Sequence, residues 1–169
     1  MTQVYLISEK TLKEDSLLND NTGSEFLSAA IELAQNIHLQ ELIGTKLLNR
    51  ICSMVEDGSI SGETAYKSLL DAYITPYLEW MVTSLIQVPI TFKMRNLGVV
   101  QTNDERVNNA GLRDVQVLEQ YYANKASFYG LRLTKFLKAN STIYTEYCKC
   151  DNCADFHSNP NSFRLPTVL

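Results

Sequence analysis

The chain has 169 residues, of which 45% are apolar and 20% charged, and a formal net charge of −4. That length supports one domain whose core needs no disulfides or metals, and the composition excludes collagen-like, Pro-rich and wholly disordered chains. The acidic balance argues against a protein that coats nucleic acid, because phosphate binding needs a basic excess somewhere. From the start of the chain, Val4, Tyr5, Leu6 and Ile7 form a short apolar run, and Ser8 is placed to cap a weak amphipathic helix over 9–18. Turn chemistry predicts a loop over 19–23. Ser24 is placed to cap a second helix, in which Phe26, Leu27, Ala30, Ile31, Ala34 and Ile37 recur at helical spacing. Leu39, Leu42 and Ile43 extend the stripe to Gly44, where it breaks. A helix restarts at Thr45 and runs through Leu47, Leu48, Ile51 and Val55 to Asp57 and Gly58.

Ser61 is expected to open the next helix, with Tyr66, Leu69, Leu70 and Tyr73 on one face. Pro76 suits the first turn of a new helix or a kink. Leu78, Met81, Val82, Leu85 and Ile86 continue the stripe, with Trp80 beside it. Pro89 is expected to bend or end this helix, and 91–95 could resume it. Residues 96–102 change character: Gly98 punctuates and Val99–Val100 favours a strand. The polar stretch 103–111 predicts an exposed loop or hairpin tip. The longest predicted helix runs over 112–138, with Val115, Leu118, Tyr122, Tyr129, Leu133, Phe136 and Leu137 as its core stripe. Val117, Tyr121, Phe128 and Leu131 lie off that stripe, so this helix is expected to face a partner as well as the core.

The last part of the chain has no helical period. Phe156, Phe163, Leu165 and Val168 stand among prolines and asparagines, as anchors that cannot build a core of their own. They are expected to dock on another subunit. The division expected is a helical domain over 1–140 and a Cys-containing turn with an extended interaction tail over 141–169. No secretory signal, membrane span or lipidation motif is visible, which predicts a soluble, cytosolic chain.

Catalytic signals are weak. There are two histidines, His38 and His157, no phosphate-binding Gly-rich loop and no nucleophile elbow, so no catalytic residue and no cofactor is expected. Cys148, Cys150, Cys153 and His157 form a CxCxxCxxxH cluster. Three thiols and an imidazole suit tetrahedral zinc, but the compressed spacing also suits a Cys-rich turn packed against a neighbour. Metal is not expected to be needed for folding. Tyr66, Tyr73 and Tyr77, at helical spacing, fit a core role, although tyrosine is also common at interfaces.

The order of pieces carries a resemblance. It comprises 31–45 (IELAQNIHLQELIGT), a Gly-ended helix, a Tyr-rich helix leading into Tyr73-Ile74-Thr75-Pro76-Tyr77, the segment 93–100 (KMRNLGVV), and a long helix with 126–133 (ASFYGLRL), Phe136 and Leu137. Across roughly 6–140 this resembles the head–tail connector (adaptor, head-completion or ring) proteins of tailed bacteriophages. The versions it is most similar to are those of phages of Bacteroidetes hosts, including crAss-like phages. The Cys-rich stretch has no counterpart in that pattern.

The resemblance implies an all-α fold: a small helical bundle with a long C-terminal helix, one β-hairpin or extended loop near 97–112, and an extended C-terminal tail. It implies a structural virion protein at the head–tail interface, present in host cytoplasm during assembly. Its partners would be other copies of itself in a dodecameric ring, the portal protein and neighbouring ring proteins. Double-stranded DNA would pass through the channel. Tyr121, Phe128, Phe156, Phe163, Leu165 and Val168 are the expected interaction residues. Two alternatives remain open: a helical adaptor binding one protein partner, and a small zinc-binding protein built on the CxCxxCxxxH cluster.

Overall fold

A computed structural model describes residues 4–15, 23–95, 98–101 and 111–147. Among the described residues the fold is all-α apart from one short strand pair. Its helices are α1 (Glu9–Asp15), α2 (Ser24–Leu33), α3 (Gln40–Ile43), α4 (Thr45–Glu56), α5 (Thr64–Leu69), α6 (Thr75–Thr91) and α7 (Leu112–Ala139). Two π-helical turns, Ala34–Leu39 and Leu70–Ile74, join α2 to α3 and α5 to α6 without a break. A single 3₁₀ turn, Ser59–Ser61, lies between α4 and α5. Thus the helix expected to open at Ser61 starts at Thr64. No helix among the described residues is long and apolar enough to cross a membrane.

Helix ends follow local chemistry. Ser8 Oγ accepts the Thr11 N–H at 3.1 Å and caps α1. Ser24 is the first residue of α2, behind Gly23, and makes no side-chain cap. Gly44 ends α3 with φ 81°, a conformation costly for any residue with a Cβ, and so turns the chain directly into α4. At the start of α7 the Gly111 N–H donates to Asp114 Oδ2 at 3.1 Å.

Helix α6 is the centre of the bundle. Tyr77, Leu78, Met81, Val82, Thr83, Ser84 and Ile86 are all buried, which covers more than one face of it. It packs along α7 on one side and against α2 on another, whereas α2 and α7 barely touch. Pro76 stands in its first turn. A proline has no N–H and crowds the carbonyl four residues earlier; the wide turn just ahead, where the Thr75 N–H reaches back five residues to Leu70 O, accommodates both facts. Pro89 does not end α6, which continues to Thr91; this close to the terminus, only the last turn loses a bond.

Residues after Thr91 do not resume a helix. They form β1 (Phe92–Arg95), paired antiparallel with β2 (Gly98–Gln101), Phe92 opposite Gln101 and Arg95 opposite Gly98. This pair begins before the hairpin expected near 97–112, whose remainder at 102–110 lies outside the described residues.

The first π turn corrects the predicted α2 stripe. One extra residue per turn swings everything after it by about 100° around the axis. Gln35 and Leu39 turn inward, and Ile37, expected in the core, is 54% exposed. Gln35 is almost completely buried, and its amide binds backbone at both ends. Its Oε1 accepts the Leu6 N–H at 3.0 Å, and its Nε2 donates to Val4 O at 2.9 Å. The side chain thereby pairs with the apolar N-terminal run as a neighbouring strand would, and Leu6 and Ile7 sink into the core.

Candidate functional site

Helix α7 has 28 residues, about 42 Å of axis, and two apolar faces. The inner face is Val115, Tyr122, Ala126, Gly130, Leu133 and Leu137. Leu118, expected on this face, is exposed instead. The small residues Ala126 and Gly130, which no hydrophobic stripe flags, are buried on this face, and at Gly130 the backbone comes close to its neighbours. A Cβ on Gly130 would stand 3.2 Å from Leu42 Cδ1 and from Tyr77 Cε2. The two helices are also tied by Ser84 Oγ, which donates to Glu119 O at 3.0 Å. Beneath Gly130, the Tyr77 ring is fully buried; its hydroxyl finds no hydrogen-bond partner, and burial, with a smaller contribution from Glu41, pushes its pKa up.

The C-terminal end of α7 is fixed by an aromatic corner. Tyr73 stacks on Phe136 with centroids 4.0 Å apart, and Tyr144 meets Tyr66 edge-on at 5.4 Å. Arg132 lies 4.9 Å over the Tyr73 ring. Tyr144 Oη donates to Ala65 O at 3.0 Å, and Tyr66 Oη donates to Glu146 Oε2 at 2.9 Å. Burial, then the hydrogen bond and negative charge of Glu146, push the Tyr66 hydroxyl up to about 12. Residues 141–147, the start of the expected tail, thus pack on the bundle, with Tyr144 and Tyr147 in its core.

The outer face of α7 is the second apolar surface. Val117, Tyr121, Phe128 and Leu131 line it at helical spacing, and Phe128 is the most exposed at 65%. Lys125 Nζ sits 4.1 Å over the Trp80 ring and 4.6 Å over Tyr121, which holds Tyr121 in place beside α6. Charge along the helix is uneven. Asp114 and Glu119 belong to its first third, whereas Lys125, Arg132, Lys135 and Lys138 occupy the rest with no acid among them.

Of the expected interaction residues, Tyr121 and Phe128 share this outer face. Phe156, Phe163, Leu165 and Val168 lie outside the described residues, as do Cys148, Cys150, Cys153 and His157. Among the described residues no group of three His, Cys, Asp or Glu side chains could hold a metal ion. His38 is half-buried on the first π turn, where burial holds its imidazole below the ordinary range against an opposing pull from Glu41. Leu33 and Ile37, exposed beside it, are residues that sequence reasoning assigned to the core or passed over. The π turn brings out Ile37, whereas Leu33 precedes it and sits at the edge of the α2 stripe.

A family model described as a family of unknown function (DUF6712) matches residues 39–157. The chain belongs to this family. The matched span opens in the first π turn, runs through α6 and α7, and takes in the Cys148–Cys153 cluster up to His157. No curated protein and no solved structure matches the chain.

Proposed function

We propose that this chain is a structural, non-enzymatic virion protein. Copies of it form a ring, in the manner of the phage head–tail connectors it resembles, docking on a portal and joining capsid to tail around a channel for DNA. The observation that carries this reading is the second apolar face of α7. A helix already packed on its core by one face displays Val117, Tyr121, Phe128 and Leu131 on the other, which a subunit destined for burial requires and a free-standing monomer does not. The acidic chain suits a channel that DNA must pass without sticking. In this reading the tail anchors Phe156, Phe163, Leu165 and Val168 reach a neighbouring ring component, each worth roughly 1.5–3 kcal/mol when buried, before the ordering entropy is subtracted.

The test is mass in solution together with electron micrographs over a wide concentration range. Closed rings of one stoichiometry are expected. A monomer that persists at high concentration and forms no ring overturns the reading and leaves the helical adaptor in its place.

A further inference from the structure

The ring reading leaves open which surfaces meet, and the distribution of exposed charge distinguishes them. Two exposed apolar faces lie on helices that flank α6 and barely touch each other. One is the outer face of α7, with Val117, Tyr121, Phe128 and Leu131. The other runs along α2 and the first π turn, where Leu33 is 41% and Ile37 54% exposed. The two carry opposite charge. From Ser24 to Ile43 there is no lysine or arginine, and Glu25 and Glu32 are exposed on α2, Glu25 in its first turn and Glu32 next to Leu33. On α7 the basic residues Arg132, Lys135 and Lys138 rim the apolar stripe, with Lys135 in line with Val117, Tyr121, Phe128 and Leu131.

Over the part of α7 from Lys125 on, a self-paired, two-fold contact sets base against base, and α2 on α2 gathers acidic charge. Like charges placed together disfavour the contact, and opposite charges favour it. A head-to-tail contact sets base against acid at every joint. Such contacts between different faces of identical subunits build rings when the rotation closes.

We propose that copies of this chain associate head to tail, the outer face of α7 on one copy docking against the outer face of α2 and its π turn on the next. The occupant of each face is thus a second copy of the chain. This rests on the self-association in the ring reading and names its contact.

The experiment is charge reversal on the full chain, followed by mass photometry and micrographs, with circular dichroism to check that each variant folds. One variant carries Lys135→Glu and Lys138→Glu; another carries Glu25→Lys and Glu32→Lys. All four side chains are exposed, so the fold is expected to survive. Each variant alone is expected to need at least tenfold more protein to assemble. Mixing the two is expected to restore assembly, because each reversed face then meets its complement. Restoration in the mixture supports the contact, whether the product is a closed ring or an open chain; an open chain would overturn the ring while leaving the contact standing. Variants that assemble like the parent overturn the contact and leave the ring. Variants that fail alone and stay apart when mixed also overturn it, and a parent that never self-associates overturns both. If a copy deleted after Tyr147 assembles but the full chain does not, the face belongs to the chain's own tail and the proposal falls.

Discussion

Gln35 shows how one side chain can hold an element that has no helix or sheet partner. The run Val4–Ile7 has backbone groups that burial removes from water, and such groups must be paired. The amide of Gln35 offers an acceptor oxygen and two N–H donors in fixed geometry: Oε1 accepts the Leu6 N–H, and Nε2 donates to Val4 O and to Cys52 Sγ at 3.8 Å. Gln35→Leu keeps the volume and removes both backbone bonds, leaving the Leu6 N–H and Val4 O unsatisfied. A loss of about 2–3 kcal/mol is expected, read as a lower urea midpoint at unchanged slope. His38 gives a different signature. Its folded pKa is lowered by burial, so the unfolded chain binds the proton more readily. Stability is therefore complete above the unfolded value near 6.5 and declines as pH falls through it. His38→Gln is expected to flatten that part of the stability curve, measured as the difference between the two proteins from pH 7.5 to 5.5. Parallel curves would mean that His38 is as free to ionise in the fold as out of it.

At the scale of elements, α6 and α7 depend on an absence of side chain. Gly130 costs about 1 kcal/mol of helix propensity relative to alanine, and the fold accepts that cost for a close approach to Leu42 and Tyr77. Gly130→Ala gains propensity but crowds two neighbours at 3.2 Å, so a net change within about 1 kcal/mol is expected. Gly130→Val adds two further methyl groups with nowhere to go, and a loss of about 2–3 kcal/mol in thermal or urea unfolding is expected. The elements themselves were largely legible: α4, α6 and α7 follow from spacing, and α7 was placed to within one residue at its C-terminal end. The inner and outer sides of α7 were separable because Val117, Tyr121, Phe128 and Leu131 break the stripe. On the acidic α2 face, Glu25, Glu32 and Leu33 keep ordinary helical phase, and the exposure of Ile37 was what the sequence hid. A π turn shifts the phase of a helix with no composition signal of its own, and only the second one is announced, by Pro76. Gly130 and Ala126 escaped for a related reason, since a hydrophobic pattern marks what fills a core and not what makes room in it. The strand pair begins before its expected place because a helix followed through Pro89 conceals where it stops.

For the whole molecule, the bundle is asymmetric in charge as well as in shape, with an acidic rod on one flank of α6 and a mostly basic one on the other. Net charge alone hides this, and so does any single helix. Where the bundle ends is a separate question from where its helices end. Helix α7 stops at Ala139, yet Tyr144 is 2% exposed and closes the corner formed by Tyr66, Tyr73 and Phe136. Its hydroxyl also satisfies Ala65 O in α5. Cutting after Asn140 therefore removes a buried aromatic, a second one at Tyr147, and the carboxylate bound to Tyr66. Cutting after Tyr147 removes none of them. Losing one buried aromatic costs about 3–5 kcal/mol when its site cannot collapse. The chain ending at Asn140 is thus expected to be less stable by at least that amount than the chain ending at Tyr147, when both are unfolded in urea under the same conditions. The comparison isolates 141–147, because both chains lack everything beyond. Equal midpoints would show that the corner closes without Tyr144 and that the stacked pair of Tyr73 and Phe136 is sufficient to seal the end of α7.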